Sequence, residues 1–191
     1  MKTLWDFIDR VRKPPVRPAP VARPVRPRPE PPTAHEPPPD LDAIRATATM
    51  RERYAAVERF MLKQHGVRVR KWRSSMSGVA WQVTYRDGSI AKLIESPRPR
   101  GPMSAAVFLH EIGHHAIGFG VYRPRCLEEF HAWKFSIDTM RECDLNVSDR
   151  VLERMHDSLH YALEKAARRG LKRIPEELLP YTQPRLRRRS A

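Results

Sequence analysis

The sequence predicts a small α+β domain, an antiparallel sheet packed against a central helix and against the acidic helix that follows it. Three observations predict it. Stretches of helical periodicity recur through the second half of the chain, each closed by glycine or preceded by a capping residue. Two alternating apolar and polar runs flank Arg86-Asp87-Gly88, and an Asp-Gly between such runs is a strong hairpin signal. Finally, 12 of the 19 prolines lie in the first 40 residues, which therefore cannot build a core. Of the 191 residues, 41–175 remain as one foldable unit.

In chain order, residues 1–40 read as a disordered Pro/Arg-rich segment. Within it, residues 3–13 can form a short amphipathic helix, with Leu4, Ile8 and Val11 on one face and Thr3 as cap. So short a helix is marginal alone, and it reads as a docking peptide or as a frayed tail. From Pro14 to Asp40 the composition favours an extended polyproline tether. A helix is expected from Leu41 to His65, capped by Asp40, stopped by Gly66, and weakened in its first half by Thr47 and Thr49. Strands are expected at Val67–Arg73, Val79–Tyr85 and Ser89–Ile94, followed by a Ser96–Pro102 loop. Helices follow at Met103 to Ile117, Leu127 to Arg141 and Asp149 to Arg169. The last has Val151, Leu152, Met155, Leu159 and Leu163 at helical spacing and Gly170 at its end. Residues 176–191 read as a basic disordered tail.

Charge is unevenly spread. The formal net charge is +14, but residues 63–100 carry +7, 101–164 carry −4 and 165–191 carry +7. Basic ends of this kind suit nucleic acid as a partner, and suit a merely solubilising surface equally well. No apolar run approaches the ~20 residues that span a bilayer, so no membrane partner is expected. The opening MKTLWDFIDRVRK lacks the apolar region of a secretory signal. Two cysteines, Cys126 and Cys143, make no disulfide framework and read as small packing residues. The expectation is a soluble, cytoplasmic protein.

The central helix carries His110-Glu111-Ile112-Gly113-His114, an H-E-x-x-H pattern. Residues four apart sit about 40° apart around a helix and ~6 Å along it, so both imidazoles can face one ion. Zinc suits neutral imidazole and tolerates distorted tetrahedral geometry. It lowers the pKa of a bound water to about 7, and Glu111, next to the first ligand, is placed to take that water's proton. Catalytic zinc needs a third protein ligand. Position 117 is Ile and position 120 is Gly, so no histidine follows closely. The candidates lie on the next helix, Glu129, Glu128 and His131. Glu129 comes first because, with Ala132 three positions on, it resembles the E-x-x-A arrangement of gluzincins, in which that small residue lets the two helices approach. Together with the small sheet, this makes the predicted fold zincin-like, with Zn2+ held by His110, His114 and Glu129.

These residues resemble the ImmA/IrrE-like zinc metallopeptidases of the gluzincin type. The likeness rests on His110 to His114 and on Glu129-x-x-Ala132-x-x-Phe135, and spans roughly residues 67–145. Trp133 stands where that family often has Asn. The resemblance implies cleavage of a regulatory protein, commonly a phage or mobile-element repressor, which is DNA-bound.

The remaining candidates have blander readings beside the functional ones. His115 points about 100° from His114 and reads as a supporting or surface group. His156 and His160 are four apart without a suitably placed carboxylate and read as an exposed face. One of them, or Tyr161 or Tyr122, can stabilise an oxyanion. Trp72 and Trp81, set among arginines and Lys71, read as core aromatics under a basic face or as base-stacking residues. The expected activity is zinc-dependent peptide hydrolysis, with substrate added to an edge strand, Val79–Tyr85 or Ser89–Ile94. The competing reading is a basic, nucleic-acid-associated regulator on a non-catalytic zincin fold.

Overall fold

A computed structural model describes residues 41–46 and 49–185. The expected helix at 3–13, the polyproline tether, the Asp40 cap and the last residues of the tail lie outside the described residues. The folded part is α+β: a small mixed sheet packed against helices.

The single helix expected over 41–65 is two, α1 (Leu41–Arg45) and α2 (Met50–His65). Thr49 is the reason. Its backbone is extended, its side chain accepts the Glu52 N–H at 3.2 Å, and the Glu52 carboxylate accepts the Thr49 N–H at 3.1 Å. Such a capping box starts a helix rather than continuing one. Gly66, at φ 61°, ends α2 in the left-handed conformation that glycine adopts without penalty.

Strands β1 (Val67–Arg73), β2 (Val79–Thr84) and β3 (Ile90–Pro97) follow, in the order β1-β3-β2. The β2–β3 hairpin is antiparallel as expected, its turn closed by the Tyr85 N–H to the Ser89 carbonyl at 2.9 Å. Gly88 takes φ 79° there. The all-antiparallel expectation fails at β1, which pairs parallel with β3. The turn chemistry specified only how β2 meets β3. Which strand takes the centre depends on burial, and β3, buried from Ile94 to Pro97, takes it with a neighbour on each side. The same burial extends β3 three residues past its expected end.

Helix α3 (Pro102–Ile117) packs on the sheet, with Phe108 fully buried and its ring 6.2 Å from that of Trp72. Helix α4 (Arg125–Glu142) lies along α3, where the Ser136 hydroxyl donates to the Ala106 carbonyl at 2.8 Å. Helix α5 (Asp149–Arg168) follows. Ile44, Val57, Ile94, Leu109, Ile112, Met140 and Leu159 complete a shared core.

Part of the stretch read as a basic tail from residue 176 is structured. Glu176–Tyr181 is a 3-10 helix against α5, anchored by a fully buried Leu178. His160, expected on an exposed face, bonds through Nδ1 to the Tyr181 carbonyl at 2.9 Å, and the His156 ring lies 5.3 Å from that of Tyr181. Composition marked this stretch as tail because two acids and a proline outweigh one anchoring leucine. Among the described residues, no helix is long and apolar enough to cross a membrane.

Candidate metal centre

The site begins with the contact between α3 and α4. A Cβ added at Gly113 would lie 2.8 Å from the Ala132 carbonyl oxygen and 3.2 Å from its Cα. Only glycine on α3, facing alanine on α4, permits that approach. Glu129 sits one turn before Ala132 and is thereby brought over the His110 and His114 rings. Its Oε2 lies 3.4 Å from His110 Nε2 and 3.6 Å from His114 Nε2. The three ligand atoms all fall within 4.8 Å of one another, a group able to hold a metal ion. These separations are long for hydrogen bonds but match the ~3.4 Å between donors placed about 2.1 Å from a tetrahedral centre.

Neighbouring groups hold this arrangement. Glu128, a weaker ligand candidate from sequence, is buried with its carboxylate turned away from the cluster. One oxygen meets His114 Nδ1 at 3.2 Å and the other accepts the Gly120 N–H at 3.0 Å. A proton kept on Nδ1 leaves the Nε2 lone pair aimed at the cluster. The Trp133 ring stacks on His110 at 4.5 Å. Arg125 donates to Glu129 Oε1 at 3.1 Å, leaving Oε2 for the imidazoles. His131, the other weaker candidate, is not at the site: it stacks on Tyr122 at 3.7 Å. His115 is buried against the sheet, its Nε2 3.1 Å from the Leu93 carbonyl.

Glu111 is buried beside the cluster. A Cβ at Gly78 would lie 2.4 Å from its Oε1, so the loop before β2 leaves room for that carboxyl only because residue 78 is glycine. Burial pushes the Glu111 carboxyl up to about 7. Burial works in the same sense on Glu129, but the close His110 and His114 imidazoles prevail and hold it far below the carboxylate range. Burial would lower both the His110 and His114 imidazoles. It does so for His110, whereas hydrogen bonding and charge from Glu129 raise His114. Two neighbouring carboxyls are thus driven apart, one toward holding a proton near neutrality and one toward permanent charge.

The cluster opens into a cleft of about 870 Å³ between Ser77 and Gly78 at the start of β2 and the flank of α5. Tyr161 lines it, whereas Tyr122, His156 and His160 do not, which leaves Tyr161 alone among the four oxyanion candidates. Of the two substrate strands expected, Ser89–Ile94 lies in the central β3 and has no free edge; β2 does. Cys126 and Cys143 are both buried free thiols. Trp72 packs by Phe108, and Trp81 lies under the Arg70 guanidinium at 5.9 Å. Arg125, Gly78 and the supporting role of Glu128 escaped sequence reasoning. The first has a signal, lying four residues before Glu129 on the same helix face; Gly78 has none. No family model matches this chain, and neither a curated protein nor a solved structure matches it.

Proposed function

We propose that this chain is a zinc metallopeptidase. The observation that carries the reading is a single carboxylate oxygen of Glu129 set 3.4 and 3.6 Å from two imidazole nitrogens, at tetrahedral donor spacing. Two nitrogens and one oxygen suit zinc and leave a fourth position open. Bound zinc would supply Lewis-acid polarisation of a peptide carbonyl and acidify a water. His110, His114 and Glu129 would hold the ion, with Glu128 on His114 Nδ1 leaving Nε2 free to ligate. Glu111, buried beside the cluster, would take a proton from the water and pass it to the leaving amine. The free edge of β2 pairs with an extended substrate, and Tyr161 steadies the developing oxyanion. The resemblance to ImmA/IrrE-like peptidases favours a regulatory protein as substrate, such as a DNA-bound phage or mobile-element repressor. Glu111→Gln should retain zinc and lose cleavage of co-encoded repressors, whereas His110→Ala should lose both. Undiminished cleavage by Glu111→Gln would refute the mechanism.

One observation favours a second reading. Arg70 over Trp81 on a basic sheet is the pairing that binds nucleic-acid bases and phosphates, as a regulator on a non-catalytic fold would use. Salt-dependent DNA binding that persists in Glu111→Gln, with no partner cleaved by either protein, would select it.

A further inference from the structure

Apart from the Ser77–Gly78 segment and the candidate metal centre, one face of α5 walls the cleft. Arg154, Ser158, Tyr161, Lys165 and Arg169 line it at intervals of three and four residues, the spacing of a single helical stripe. From Arg154 to Arg169 the stripe runs ~22 Å, the length of about six or seven residues of extended chain. Arg154 marks its β2 end, because its guanidinium donates to the Met76 carbonyl at 3.3 Å. The other end carries Lys165 and Arg169, both exposed, and neither has an acidic partner among the described residues. Outside the candidate metal centre, Asp157, three residues from Arg154, is the only acid lining the cleft among the described residues.

We propose that the cleft selects an acidic stretch of polypeptide, recognised by Lys165 and Arg169 several residues away from the cut. The inference rests on the peptidase reading for the word "cut", but not for the binding itself. Two cations without an acidic partner among the described residues, on the wall of a concave site several residues' length from the Ser77–Gly78 segment that leads into the free-edged β2, ask for an anion carried on an extended backbone. A nucleic acid offers the anion but not the peptide groups that β2 pairs with. Cations near the end of a helix also complement its dipole. That role alone would alter stability and leave ligand preference untouched.

Binding of fluorescein-labelled hexaglutamate and hexaglutamine to full-length Glu111→Gln protein tests this without turnover. Hexaglutamate should bind at least about tenfold tighter, a difference of about 1.4 kcal/mol. Adding Lys165→Glu and Arg169→Glu should bring the ratio to about one, while the swap of Lys165→Arg with Arg169→Lys should keep it. An unchanged ratio in the charge-reversed protein overturns the proposal. So does a twelve-residue oligothymidine that binds tighter than hexaglutamate through the same two residues. Digestion of denatured casein by zinc-loaded wild type, with cut sites mapped by mass spectrometry, separates the two claims. No cleavage, with the hexaglutamate preference intact, refutes the peptidase and upholds the acidic cleft. Cleavage with neither acidic bias nor dependence on Lys165 and Arg169 refutes the acidic cleft alone.

Discussion

The α3–α4 contact and the β-sheet both carry carboxylates among partners of opposite charge, yet they do so under opposite constraints. At the helix contact, Glu111, Glu128 and Glu129 are brought in by a Gly113 to Ala132 approach too tight for any added atom. On the sheet, Glu95 is held by Arg70 at 2.7 Å and Arg73 at 3.0 Å, flexible side chains of which Arg70 is mostly exposed. Packing dictates charge geometry in the first region; in the second, charge follows wherever long side chains reach. The first arrangement is fragile to one methyl group, and the second tolerates substitution.

The sharpest way to break the comparison is Gly113→Val. Overpacking against the Ala132 backbone should destabilise the fold by about 3 kcal/mol, lower Tm by about 6–12 °C, and abolish zinc binding. Thermal denaturation and metal analysis check both. Next in size, Gly78→Ala should displace the Glu111 carboxyl and cost about 10–100-fold in kcat/KM with Tm nearly unchanged. Glu128→Gln keeps a hydrogen-bond acceptor for His114 but removes its charge, so zinc affinity should fall about 10–100-fold, measured by competition with a chelator.

These effects also show what the amino-acid sequence makes legible. His110, Glu111 and His114 were readable because the spacing of one helix places them, whereas Glu129, on the next helix, was singled out from its neighbour only by the resemblance to an E-x-x-A pattern ending in Ala132. The helices after residue 100 were readable because caps and glycines mark their ends. The parallel β1–β3 pairing was not, since strand order depends on which strand is most buried. Nor was the role of Gly78, which is set by a carboxyl 33 positions away. Leu178 shows the same limit: in Glu176-Glu177-Leu178-Leu179-Pro180-Tyr181 two adjacent leucines and a proline give no periodicity to read.

The two regions should also respond to pH with opposite sign. In the metal-free chain, Glu111 is raised by burial to about 7, so its contribution to stability is full below the ordinary value near 4.5 and is lost as pH rises through about 7. Glu95 is lowered, chiefly by its hydrogen bond to Arg73, so its contribution is present above about 4.5 and is lost as pH falls through the depressed value. Urea unfolding of metal-free Glu111→Gln should lack the loss between pH 4.5 and 7, and Glu95→Gln should lack the acid-side loss. Arg98→Ala strips the half-exposed guanidinium from the buried Glu58 carboxylate, which loses two hydrogen bonds, and should cost about 1–3 kcal/mol in urea unfolding.

The most direct test of the central claim is an anomalous-difference map from a crystal grown with zinc. The account predicts one strong peak about 2.0–2.2 Å from His110 Nε2, His114 Nε2 and a Glu129 carboxylate oxygen. No peak there, or a peak that leaves Glu129 outside the coordination sphere, would contradict it.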